Sequence, residues 1–198
     1  MTRSTPSIAL TLGLTVALAA CQQDLRPSEP SFAATLERAD GGSVAITDGK
    51  QLADLRQVTE SYKSLDVAKL AGYKTQITPC WAHHTAGAMG YHYGNTNIFD
   101  ASVDLLQPEV VIYEPQKNGR MNLVGLEYIV PLDAWAAAQH DLNDPNDVPE
   151  LLGQKFTRHS FLPIFKLHIW LWRNNPSGTY ADWNPKVSCQ FADSTEVF

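Results

Sequence analysis

Residues 109–131 read EVVIYEPQKNGRMNLVGLEYIVP. Val110, Val111, Ile112 and Tyr113 are β-branched or aromatic, the composition that suits a pleated, half-buried surface. Pro115 closes that run. Lys117-Asn118-Gly119-Arg120 follows, and Asn-Gly supplies the positive φ angles of a tight turn, the strongest short-range hairpin signal. Met121 to Val130 is the return strand. The stretch therefore predicts an antiparallel hairpin.

Working outward, Phe165 to Trp172 (FKLHIWLW) predicts a second strong strand, and Met89 to Tyr93 (MGYHY) another. Asn174-Asn175-Pro176-Ser177-Gly178 reads as a turn, with a last short strand over Tyr180–Trp183. Pro131 sits in the first turn of a short helix, PLDAWAAAQH. Residues 141–154 are a polar loop with room for one helical turn. Upstream, Leu52, Leu55, Val58, Tyr62, Leu65, Ala68 and Leu70 recur at three- and four-residue steps, one apolar stripe on a helix over 51–71. Gly72 stands where a C-terminal cap belongs. Parallel sheets need long crossovers, and few are present here. The expected fold class is α+β: an N-terminal amphipathic helix packed on a twisted antiparallel sheet or partly closed β-barrel. Residues 51–198 form its single globular domain.

Alternation along the strands sorts the polar groups. In FKLHIWLW, Lys166, His168, Trp170 and Trp172 oppose Phe165, Leu167, Ile169 and Leu171. Glu127 shares a face with Leu123, Gly125 and Ile129. His92 opposes Met89, Tyr91 and Tyr93, and lies between Gly90 and Gly94, where a close approach is possible. Three strands thus each carry one candidate metal ligand, His92, Glu127 and His168. Two imidazoles and a carboxylate on one wall suit one divalent ion such as zinc, iron or manganese. The competing reading is a polar core in which Glu127 satisfies the histidines. Tyr91, Tyr93, Trp170 and Trp172 are candidate ligand-binding aromatics, with core packing as the alternative for the tryptophans. In an enzyme, Tyr91, Tyr93 or Tyr128 would be the proton donor. His83 and His84 read as solvated, and His140 and His159 take no role. Neither a serine or cysteine nucleophile motif nor a phosphate loop is present.

The chain starts MTRSTPSIALTLGLTVALAAC. Arg3 precedes an apolar run too short for a permanent span, ending in small residues. Leu18-Ala19-Ala20-Cys21 matches the lipobox of bacterial lipoproteins. Residues 1–20 then form the signal peptide, and Cys21 carries the acyl chains that anchor the protein to a membrane. Gln22 after it favours the outer membrane, facing the periplasm, in a cell with two membranes. Residues 21–50 read as a lipidated tether, with a short strand at Ala45-Ile46-Thr47. Lys and Arg number 15 against 21 Asp and Glu, a formal charge of −6. Loss of Arg3 makes the balance more acidic still. Nucleic acid is excluded as a partner by that sign.

Lipidation leaves Cys80 and Cys189. In an oxidising compartment such a pair becomes a disulfide. Closing a loop of about 109 residues is worth at most about 4–5 kcal/mol. A ligand set of Cys80 with His83 or His84 is the weaker reading, since Cys189 would stand alone.

GAMGYHY (87–93), PEVVIYEP (108–115), LVGLEYIVP (123–131), LHIWLW (167–172), NPSG (175–178) and WNPKVSC (183–189) together resemble a widespread family of uncharacterised exported bacterial proteins. The resemblance covers roughly residues 55–189. It implies a secreted single-domain design in which Cys80, His92, Glu127, His168 and Cys189 hold recognisable positions. The functional expectation is an envelope lipoprotein that binds a small ligand or metal ion in a pocket of histidine, glutamate and aromatics. The alternatives are a metal-dependent enzyme at the same residues and an interaction protein with no small ligand.

Overall fold

The turn at Asn118-Gly119 reverses the chain as its sequence demands. Gly119 has a φ of +75°, and Gln116 and Arg120 close the loop through a backbone hydrogen bond of 2.9 Å. In the computed structural model, which describes residues 42–198, this turn joins β4 (Val110–Pro115) to β5 (Met121–Pro131). Before them come helix α1 (Gly42–Thr59), a 3-10 turn at Glu60–Lys63, helix α2 (Leu65–Leu70), and strands β1 (Thr75–Gln76), β2 (Cys80–His83) and β3 (Gly87–Gly94). After them come helix α3 (Leu132–Ala137), a two-strand ribbon of β6 (Glu150–Leu151) and β7 (Gln154–Lys155), then β8 (Thr157–Arg158), β9 (Ile164–Ile169) and β10 (Thr195–Val197).

The main sheet runs β10-β2-β3-β4-β5-β9-β8, with β1 also paired to β3, and curls into a half-barrel. Every pairing is antiparallel except β10 on β2. The fold is mixed α and β around this antiparallel-rich sheet, as the hairpin implied. Two apolar layers flank it. One holds Tyr91, Tyr93, Tyr113, Leu126, Tyr128 and Phe165 together with Leu55, Ala68 and Trp135 from the helices. The other, smaller layer holds Val110, Ile112, Ile129, Trp170 and Val187. Among the described residues no helix is long and apolar enough to cross a membrane.

Local details correct several expectations. The helix over 51–71 is broken: Glu60–Lys63 tightens into a 3-10 turn, and Ser64 is extended before α2 begins. Leu55 is fully buried and Ala68 also, but Val58 is 41 % exposed and Leu70 86 % exposed, so the apolar stripe is only partly covered. Residues 42–50, expected in the tether, are helical, and so is Ala45–Thr47, expected as a strand. The signal peptide, Cys21 and the rest of the tether lie outside the described residues. Residues 180–183 form no strand; Asn184 instead makes an isolated bridge to Ala88.

Irregularities in the sheet also reassign faces. Ile112 pairs with Gly125 but Tyr113 with Leu123, so Val124 is an extra residue, a β-bulge. Leu123 is thereby turned into the helix-side layer, away from Glu127. The Val124 carbonyl accepts hydrogen bonds from Trp172 (3.1 Å) and Arg173 (3.0 Å). β9 ends at Ile169, where Leu171 N–H bonds back to the Ile169 carbonyl at 2.9 Å, a γ-turn closure. Alternation stops there. Trp172 packs beside Leu171 in the helix-side layer, with the Lys63 ammonium 4.3 Å from its ring centre. The disulfide Cys80–Cys189 is formed, with Cα atoms 5.8 Å apart.

Candidate metal centre

The site follows from register. His92 on β3 stands opposite Ile112, and Ile112 opposite Gly125 on β5. Two residues along β5 comes Glu127, directly opposite His168 on β9. All three polar groups therefore emerge on the smaller apolar layer. They are deeply buried: His92 and His168 are each 1 % exposed and Glu127 5 %.

Glu127 lies between the two rings. Its Oε1 is 3.4 Å from His168 Nε2, and its Oε2 is 3.8 Å from His92 Nε2. One donor atom from each of the three lies within 4.8 Å of the other two. Donors held tetrahedrally at zinc-like bond lengths sit about 3.3–3.5 Å apart, so closing on one ion needs a contraction of up to roughly 1.5 Å.

The far side of each ring meets an oxygen. Thr78 Oγ1 is hydrogen-bonded to His92 Nδ1 at 2.8 Å. Asp182 Oδ1 lies 3.4 Å from His168 Nδ1 and is itself paired with Lys166, the cation of β9. A hydroxyl or carboxylate at Nδ1 orients a ring so that Nε2 is the metal-facing atom. Among the described residues His92 Nε2 and both nitrogens of His168 make no hydrogen bond of good geometry, although each His168 nitrogen has a carboxylate oxygen 3.4 Å away. Buried polar atoms are normally paired, so each such atom asks for a ligand or a reason.

Electrostatics reinforce this. Burial lowers the His92 imidazole well below 6.5, with His168 and Lys166 adding to the effect. Burial likewise raises the Glu127 carboxyl from 4.5, against the pull of His168 and Lys166. The neighbouring His168 ring, with help from Lys166, holds Asp182 well below the ordinary carboxylate range, although burial opposes it. The pocket thus disfavours net charge, and a divalent cation is what would make an ionised Glu127 favourable there.

The aromatics divide. Trp170 stays at the site: its ring runs parallel to that of His168, 8° apart with centroids at 6.1 Å, and lies over Gly125. A Cβ on Gly125 would come within 3.2 Å of the indole, so any larger residue there would press on Trp170. Tyr91 and Tyr93 are on the opposite face. The Tyr91 hydroxyl accepts from the Asp193 (2.8 Å) and Ser194 (3.2 Å) amides, and Tyr93 donates to Gln76. Tyr128 donates to the Leu105 carbonyl in the same layer. With Trp172 also turned away, Tyr91, Tyr93 and Trp172 are not at the site, and none of the three tyrosines reaches it as a proton donor.

A cavity of about 220 Å³ opens on His92 and Glu127, with Thr78, Trp81 and His159 in its wall. His159 therefore lies at the site, although its loop setting suggested no role. Its Nδ1 accepts from the Phe161 and Leu162 amides, which places its proton on Nε2. His83 packs against Trp183 and His84 is exposed, both outside this cavity. Thr78 and Asp182 were also missed. The only signal for Asp182 was an acid set among aromatics in Tyr180–Trp183.

Comparison with protein-family models, with curated proteins and with solved structures returned no match.

Proposed function

We propose that the protein is a lipid-anchored domain of the bacterial envelope that binds one divalent transition metal at His92, Glu127 and His168. The observation that carries this reading is the convergence of three buried donors around Glu127, with imidazole nitrogens left unpaired. A self-sufficient polar core would have paired them. Two histidines and one carboxylate are the donor set of zinc hydrolases and of non-haem iron sites, both of which leave a coordination position open. The cavity that His92 and Glu127 line is where such a position would open. The lipobox at Leu18-Ala19-Ala20-Cys21 supports the anchor, and the acidic balance argues against nucleic acid as partner. No residue favours one reaction over another, and metal-dependent catalysis is not needed to account for the geometry.

The test is elemental analysis of the detergent-solubilised protein, purified without chelator or histidine tag. The expected result is close to one metal per chain, lost in both His92→Ala and His168→Ala while far-UV circular dichroism is retained. A protein that takes up no zinc, iron or manganese on incubation overturns the reading. Labelled palmitate should enter the wild type and not Cys21→Ser; equal labelling would remove the anchor.

A further inference from the structure

We infer that the cavity beside the metal ligands holds a small apolar monoanion, of the aromatic or branched carboxylate class, whose anionic oxygen completes the metal's coordination. This inference deepens the metal reading and rests on it.

Size comes first. At about 220 Å³ the cavity is below the range of about 300–1,000 Å³ typical of pockets for drug-sized ligands, so its occupant is small. Its walls come next. Ile77, Trp81, Phe99, Ile129, Leu162 and Ile164 surround the space with carbon. The polar side chains in the wall are His92, Glu127, Thr78 and His159; Thr78 is already bonded to His92, and His159 Nδ1 to the Phe161 and Leu162 amides. An occupant that buries these walls has a hydrocarbon body and a single polar head.

Charge selects the head. A divalent ion with the Glu127 carboxylate leaves one net positive charge in a buried, largely apolar space, and an uncompensated buried charge is costly. One anionic oxygen neutralises it. A dianion would overshoot, and no lysine or arginine among the described residues lines the cavity to balance it. Lys166, the nearest candidate, is committed to Asp182 in the adjoining cleft. A neutral ligand leaves the positive charge in place, and an amino acid would add an ammonium for which the lining offers no acid besides Glu127.

The experiment uses the full-length protein in detergent, loaded with cobalt(II), whose visible bands report changes in coordination. Cobalt content is measured before any anion is added. Benzoate, isovalerate, acetate, phosphate and neutral benzamide are then titrated. The expected result is that benzoate or isovalerate shifts the cobalt bands and binds at least tenfold tighter than acetate, phosphate or benzamide. Leu162→Glu, which sets a carboxylate in the wall, should weaken benzoate tenfold or more with cobalt content unchanged. Loaded protein that ignores benzoate and isovalerate, or takes phosphate or acetate equally well, overturns the inference and leaves the metal reading intact. Protein that does not load cobalt, zinc, iron or manganese overturns both. The wild-type comparison among anions decides the matter even if Leu162→Glu does not fold.

Discussion

Glu127 and His168 face each other across the β5–β9 ladder, with Oε1 3.4 Å from Nε2. Their separation is set by paired strands, not by a loop, so the two donors hold position without a metal. The arrangement sets function against stability. Burial raises the Glu127 carboxyl above 4.5, so the folded chain holds a proton that the unfolded chain loses first. The group's contribution is present below that value and is lost as pH rises through the folded one. Glu127→Gln should therefore raise the melting temperature of metal-free protein at neutral pH. It should also weaken metal binding tenfold or more, and thermal scans with and without zinc would show both effects.

Thr78 would act on the proposed metal through His92. Thr78→Val removes the oxygen at His92 Nδ1, leaving a buried nitrogen unpaired at a cost of about 1–3 kcal/mol. Metal affinity should fall about 10–100-fold, the usual loss for an orienting partner. Thr78→Ser should restore most of it. Competition against a zinc chelator measures the ratio.

Glu109 dominates a different pH window. It is buried, accepts a hydrogen bond from the Ile129 amide at 3.1 Å, and is pushed by burial up to about 8 from 4.5. Its folded value lies above its unfolded one, so its contribution is full below about 4.5 and is lost as pH rises through about 8. Glu109→Gln keeps an acceptor for Ile129 and removes the titration. Urea unfolding from pH 5 to 9 should show a flatter profile, with the variant ahead at pH 9 by up to on the order of 4 kcal/mol.

Tyr91 lies one residue from the candidate ligand His92 and on the other face of the sheet. Tyr91→Phe should leave metal content unchanged. It should cost about 1–3 kcal/mol in urea unfolding, since the Asp193 and Ser194 amides lose their acceptor.

The contrast between Tyr91 and His92 shows where sequence is a good guide. Period-two alternation placed His92, Glu127 and His168 on one wall because β3, β5 near Glu127 and β9 are regular there. It failed for Leu123 and Trp172, where the bulge at Val124 and the γ-turn at Leu171 break the period. Asn-Gly located the hairpin because a two-residue backbone requirement is written locally. Thr78 and Asp182 had no such signature. Thr78 reaches His92 from 14 residues upstream, and Asp182 reaches His168 from a loop beyond the end of β9. Only tertiary packing makes those distances short. The break at Glu60–Lys63 was equally hidden, since its residues continue the helical stripe and the sheet beneath decides otherwise.

Cys80 is held twice to the far end of the chain, by its bond to Cys189 and by the pairing of β2 with β10 through Thr195. This imposes an order on biogenesis. β2 precedes its outer partner by more than a hundred residues, so on export it emerges well before that partner does. Through that interval β2 presents an open edge and a free thiol, the two features that invite wrong strand pairing and wrong disulfides. The antiparallel strands carrying His92, Glu127 and His168 are complete by Ile169 and can assemble first. Strand β10 follows them in the chain and closes the edge, so the exposure of β2 lasts until that strand has emerged.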